Sequence, residues 1–227
     1  MLLLGIDDAG RGPVIGPMVL AGVLIDAETE KEFKKLGIKD SKQLTPNKRE
    51  ILATIIREKA IGFHVSITPP NEIDTRINTG TNLNKLEAIK AAEIINKINL
   101  TSEKETKIKV VLDCPSNNIP AWIDYVKPHI KHLENLKIIG EHKADVNHMS
   151  VAAASILAKT TRDKEIEKIK KNLGVDFGSG YPSDPITSKF LKDCGKKYRK
   201  DGIFRETWAT WKDVFGKKDQ KNLLDFK

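Results

Sequence analysis

The stretch Gly5-Ile-Asp-Asp-Ala-Gly-Arg-Gly-Pro13 decides how this chain is read. It follows Leu2, Leu3 and Leu4, so an apolar run ends in two adjacent carboxylates, Asp7 and Asp8, and then in a Gly-Arg-Gly turn. A short apolar run bounded by turn residues has the pattern of a buried strand, here residues 2–7. Two negative charges at its end repel each other and call for a neutralising cation. Glycines in the turn let main-chain groups come close to a ligand. Strand, acids and loop together predict a site at the end of a sheet strand.

Working outward, residues 16–25 read as a second strand, 60–68 as a third with alternating polarity, 107–113 as a fourth and 136–140 as a fifth. Leu83, Leu86, Ile89, Ile95 and Ile98 recur at helical spacing, with Thr81 or Asn82 as the cap. Residues 46–59 form another helical pattern, capped by Thr45 with Pro46 at the first position. Residues 151–171 open on a small-residue face (Ala152, Ala153, Ala154, Ser155, Ala158), which suits close docking on a sheet, and then become charged. The fold class is therefore α/β: a five-stranded mixed sheet flanked by helices. Residues 1–184 are expected to form the catalytic domain, 185–215 a helical lobe packed on it, and 216–227 a basic tail.

The chain of 227 residues carries a net charge of +8. Residues 159–227 hold 18 Lys and Arg against 11 Asp and Glu, so nearly all of the excess lies at the C-terminal end. That distribution suits a polyanion partner. Cys114 and Cys194 match no zinc-ligand spacing and are read as reduced thiols. No apolar run is long enough to span a bilayer, and the start lacks a signal-peptide pattern. A protein of the cytoplasm is expected (of the nucleus if the source is eukaryotic), without membrane contact and monomeric.

The chemistry converges on strand ends. Asp7 and Asp8 follow strand one, Asp113 ends strand four, and Asp145 follows strand five just before a helix. Open α/β sheets gather their functional groups at such ends. Four carboxylates without His or Cys partners suit hard cations, Mg²⁺ or Mn²⁺, rather than zinc. Two such ions about 4 Å apart hold an attacking water and a leaving oxygen in line.

The motifs GIDDAGRGPVIGPMV (5–19), DSKQLT (40–45), LDCPS (112–116), EHKADVNHMSVAAASILAKTTRD (141–163), GSGYPSDP (178–185) and RETW (205–208) resemble, taken together, the type 2 ribonucleases H of archaea and of the eukaryotic catalytic subunit. The resemblance covers nearly the whole chain. It implies a ribonuclease H-like fold with a C-terminal helical lobe. It also implies cleavage of the RNA strand in RNA–DNA hybrids and nicking of duplex DNA 5′ to an embedded ribonucleotide. The metal-binding catalytic acids it implies are Asp7, Asp8, Asp113 and Asp145. It directs the Gly10-Arg11-Gly12 backbone to the ribose 2′-OH and Tyr181 to the sugar that follows. Lys42 and Lys143 contact phosphate or steady the acidic site, or else form ordinary surface ion pairs. His142 and His148 are expected to be structural. The intact Gly-Arg-Gly and Tyr181 argue against a type 3 enzyme.

One position departs from the family pattern, which has Glu where this chain has Asp8. The shorter side chain leaves two readings open: an active enzyme with adjusted metal geometry, or a hybrid- and duplex-binding protein with weakened catalysis. In the tail, Gln220, Leu223 and Phe226 match the spacing of sliding-clamp docking peptides, with Lys227 where a second aromatic is expected.

Overall fold

The computed structural model describes residues 1–38, 44–99 and 106–216. Its centre is strand β1 (Leu2–Ala9), paired antiparallel with β2 (Met18–Ile25) and parallel with β4 (Ile108–Asp113). β3 (Gly62–Thr68) adds antiparallel to β2, and β5 (Leu136–Glu141) adds parallel to β4, giving the order β3-β2-β1-β4-β5. The expected mixed five-stranded sheet is present. One expectation is corrected: strand one does not stop at residue 7. β1 runs on to Ala9, because Asp7 pairs with Ala21 and Asp8 with Leu20 of β2.

Alternation along β1 sends Leu4, Ile6 and Asp8 to one face and Leu3, Gly5, Asp7 and Ala9 to the other. The first face packs on α4 (Leu83–Asn99) and α5 (Ile119–Val126) through Leu4, Ile6, Leu20, Ile94, Ile95 and Trp122. The second packs on α1 (Ala27–Lys35), α2 (Pro46–Lys59) and α7 (Met149–Leu173) through Val19, Val23, Phe33, Leu52, Ala153 and Leu157. Each fully buried Leu or Ile contributes about 1.5–3 kcal/mol of hydrophobic stabilisation. α2 starts where expected, with the Thr45 side chain accepting from Lys48 N. At α4 the choice falls on Asn82, whose Oδ1 accepts from Lys85 N at 2.9 Å.

The small-residue face of α7 lies directly on β1. A Cβ on Gly5 would collide with the α7 backbone at Ser150 and Val151, so glycine is required by this close approach. Two further helices precede the site: α3 (Pro70–Asn78), ahead of α4, and the four-residue α6 (Ala144–Asn147), between β5 and α7. Beyond α7, α8 (Pro185–Cys194) and α9 (Ala209–Phe215) enclose a third apolar cluster of Val14, Ile15, Phe177, Phe190, Phe204 and Trp211. Among the described residues, no helix is long and apolar enough to cross a membrane.

Candidate active site

The C-terminal ends of β1 and β4 open into a cleft of about 480 Å³ that Asp7, Asp8, Asp113 and Asp145 all line. Pairing between β1 and β4 brings two distant acids side by side. Asp113 is held in turn by the next element, since its Oδ1 accepts from Ala144 N at 2.8 Å. That bond ties the end of β4 to the start of α6, which carries Asp145. Asp145 thus sits inside a short helix rather than in the loop ahead of one. Lys143, just before α6, has φ 55°, the left-handed region that costs a non-glycine residue about 1–3 kcal/mol. This tight turn places both Lys143 and Asp145 on the cleft.

The acids differ in surroundings because the pleat separates them. Asp7 faces α7, where Ser155 hydrogen-bonds its carboxyl, and its Oδ1 accepts from Asp8 N at 2.7 Å. Burial first, then the charge of Asp8, holds the Asp7 pKa well above the usual carboxylate range. Asp8 faces α4. Burial, then the charge of Glu87, pushes its pKa up to about 7. Glu87 is itself buried, and desolvation raises it to about 7 as well. Buried carboxylates that favour their proton represent unmet demand for positive charge. An all-oxygen set of this kind fits hard divalent cations. Among the described residues, no group of three or more His, Cys, Asp or Glu side chains is already drawn together as a metal-holding set.

The loop after β1 forms one wall. Gly10 has φ 83°, and Gly12 lies against Tyr181: a Cβ there would meet the ring at 3.7 Å. Tyr181 is 37% exposed, and the Arg162 guanidinium lies 4.9 Å from its ring centroid. Arg162 Nη2 donates to Ser179 O at 3.0 Å, fixing the turn that carries the tyrosine. The Arg11 side chain pairs with Glu87 and donates to Asn84 Oδ1 at 2.6 Å. His142 Nδ1 lies 2.9 Å from Cys114 O, and His148 Nε2 lies 3.0 Å from Glu141 Oε1. Lys42 lies outside the described residues, as do Gln220, Leu223 and Phe226.

Sequence reasoning thus brought Asp7, Asp8, Asp113, Asp145, Gly10, Arg11, Gly12, Lys143 and Tyr181 to one cleft. It missed Glu87 and Arg162. Glu87 lies mid-helix, where a carboxylate ordinarily faces water. Arg162 was visible only as one more cation in the charged half of α7.

The ribonuclease HII family model matches residues 4–211. Ribonuclease HII of Methanocaldococcus jannaschii is 42% identical, over 99% of this chain and 99% of that protein. The crystal structure of ribonuclease H2 from Pyrococcus horikoshii OT3 is 38% identical, with a TM-score of 0.80 and coverage of 94% of this chain and 97% of that one. A chain in the structure of the PCNA:RNase HII complex from Archaeoglobus fulgidus is 37% identical, with a TM-score of 0.79 over 100% of both chains. Likeness of this depth along the full chain is membership: the chain belongs to the ribonuclease HII family and is an endonuclease of the ribonuclease H type.

Proposed function

We propose that this endonuclease hydrolyses the RNA strand of RNA–DNA hybrids and nicks duplex DNA 5′ to an embedded ribonucleotide, leaving 5′-phosphate and 3′-hydroxyl ends. The observation that carries the reading is a single cleft lined by four acids, the Gly10–Gly12 loop and Tyr181. Asp7, Asp8, Asp113 and Asp145 would hold two Mg²⁺ or Mn²⁺ ions. When bound, such ions supply charge neutralisation and Lewis acidity at the scissile phosphate. The chain's own groups position the substrate. The Gly10-Arg11-Gly12 backbone meets the ribose 2′-OH, the atom that separates RNA from DNA. Tyr181, exposed and braced by Arg162, offers its ring to the next sugar. Lys143 faces the phosphate backbone, and Lys42 is assigned the same role. Asp8, one methylene shorter than the glutamate of the family pattern, is the acid most open to improvement.

The deciding experiment incubates the protein with Mg²⁺ or Mn²⁺ and a DNA duplex containing one ribonucleotide. One nick, 5′ to that nucleotide, is expected. Tight duplex binding without any cut, on hybrid as well, would replace the enzyme with the binding protein that a weakened Asp8 site implies.

The relative solved with PCNA supports a second component of the reading: Gln220, Leu223 and Phe226 dock this enzyme on a sliding clamp. In a docking peptide of this kind, apolar positions three apart share one face of a helical turn and enter an apolar pocket. We further propose that the enzyme acts as a monomer in the cytoplasm.

A further inference from the structure

Arg205 has no exposed surface at all. Its fork is spent on main-chain carbonyls: Nη2 donates to Gly10 O at 2.6 Å, Nη1 to Arg11 O at 2.9 Å and Nε to Gly16 O at 3.0 Å. Three residues on, Trp208 Nε1 donates to Gly12 O at 3.2 Å, and the Trp208 ring lies 4.8 Å from the Arg205 guanidinium carbon. The segment is anchored at both ends. Arg205 N donates to Val14 O at 2.9 Å, and Asp74 of α3 accepts from Glu206 N at 2.7 Å and Thr207 N at 3.1 Å.

Burying a guanidinium is costly, and desolvation, followed by the charge of Arg162, pushes the Arg205 pKa down to about 9. A lysine placed here would satisfy far fewer acceptors, so what the site gains is the fixed planar fork. Successive carbonyls alternate in an extended chain, yet those of Gly10, Arg11 and Gly12 all meet the 205–208 segment. The φ of 83° at Gly10 is the kink that breaks the alternation. On its other flank the loop is held through the Arg11 side chain by Glu87 and Asn84.

We propose that Arg205 and Trp208 are specificity-determining positioning residues, which turn the Gly10–Gly12 carbonyls inward and so present the loop's amides, pre-set, to a ribonucleotide 2′-hydroxyl. The inference rests on the reading above that this loop faces the ribose. A loop already in its bound shape spends no binding energy on ordering. It also cannot relax around a deoxyribose, which leaves its polar groups unmatched.

Two variants test this, Arg205→Lys and Trp208→Phe, with melting temperature measured for each. Trp208→Phe keeps a ring on the guanidinium and removes only the bond to Gly12 O. On duplex DNA with one ribonucleotide, kcat/KM should fall about 100-fold for Arg205→Lys, the scale of a mispositioned site. For Trp208→Phe it should fall about fivefold, the scale of one hydrogen bond. The Kd for an all-DNA duplex of the same sequence should hold within about twofold, because phosphate contacts carry that binding. A parallel loss of kcat/KM and all-DNA affinity would overturn the proposal, and so would wild-type behaviour of Trp208→Phe on every readout. If the wild-type enzyme cuts hybrid but not the single-ribonucleotide duplex, the embedded-ribonucleotide reading fails by itself. The same comparison on hybrid then decides the role of Arg205, and unchanged kcat/KM there overturns it.

Discussion

Asp113 shows what one residue contributes here: it faces the cleft and, through Ala144 N, it also fixes the start of the helix carrying Asp145. Asp113→Asn should cost at least about 100-fold in kcat, since small displacements of a reacting group have that effect. The melting temperature should stay near wild type, because Asn keeps the acceptor for Ala144 N. Near-full turnover with unchanged metal dependence would show that Asp113 holds no metal. Asp8→Glu should raise turnover or change the Mg²⁺/Mn²⁺ preference, since the added methylene moves the carboxylate relative to the other acids; an unchanged metal preference and turnover would refute this. Burial also makes a pH prediction. Asp8 and Glu87 titrate near 7 in the fold, whereas the unfolded chain releases these protons near pH 4. The fold therefore holds more protons than the unfolded chain between these values. Their contribution to stability is full below about pH 4 and is lost as pH rises through about 7. Calorimetry without divalent cations should show the melting temperature dropping from about pH 5 to 8, with a smaller drop in Asp8→Asn. The four acids were legible because each sits beside an apolar strand pattern. Glu87 was not, because its partner Arg11 lies 76 positions away.

At the scale of elements, contact between β1 and α7 sets the floor of the cleft. Gly5→Ala should destabilise by about 3 kcal/mol or more, because the added methyl meets rigid α7 backbone rather than a side chain that can turn aside. A melting temperature within a degree of wild type would show that the helix can shift. The strands were legible almost to the residue, since apolar runs between turn residues leave little choice. The end of β1 was misjudged because charge at Asp7 and Asp8 looks like a stop, while the ladder to β2 carries on through both. α1 and α3 were not read at all. α1 buries only Thr29 and Phe33, too few to make a period, and α3 buries Pro70 and Ile73. The role of α3 lies in Asp74, whose acceptors meet a segment 132 positions later.

For the whole molecule the governing quantity is charge. Exposed Lys192, Lys196, Lys197 and Lys200 sit on or just after α8, within the stretch that holds nearly all of the excess. Duplex affinity should therefore fall about tenfold or more between about 50 and 200 mM salt, through counterion release. A flat salt profile would mean that these lysines serve solubility alone. The tail is tested as a peptide of residues 216–227 titrated into the cognate clamp. Weak but measurable heat is expected, abolished by Leu223→Ala with Phe226→Ala; no heat, or equal heat from the double variant, removes the clamp from the account.

The span from Gly10 to Arg205 also has a consequence in time. Those two residues are 195 positions apart and directly bonded. At ribosomal speed the later one is made about 10–40 s after the earlier. The acids of β1 leave the ribosome well before Arg205 does, and the loop beside them stays unbraced for that interval. A nascent chain surrounded by messenger and ribosomal RNA would thus carry its acids long before it carries a completed cleft, and competence to cut would arrive only once the 205–208 segment has been made.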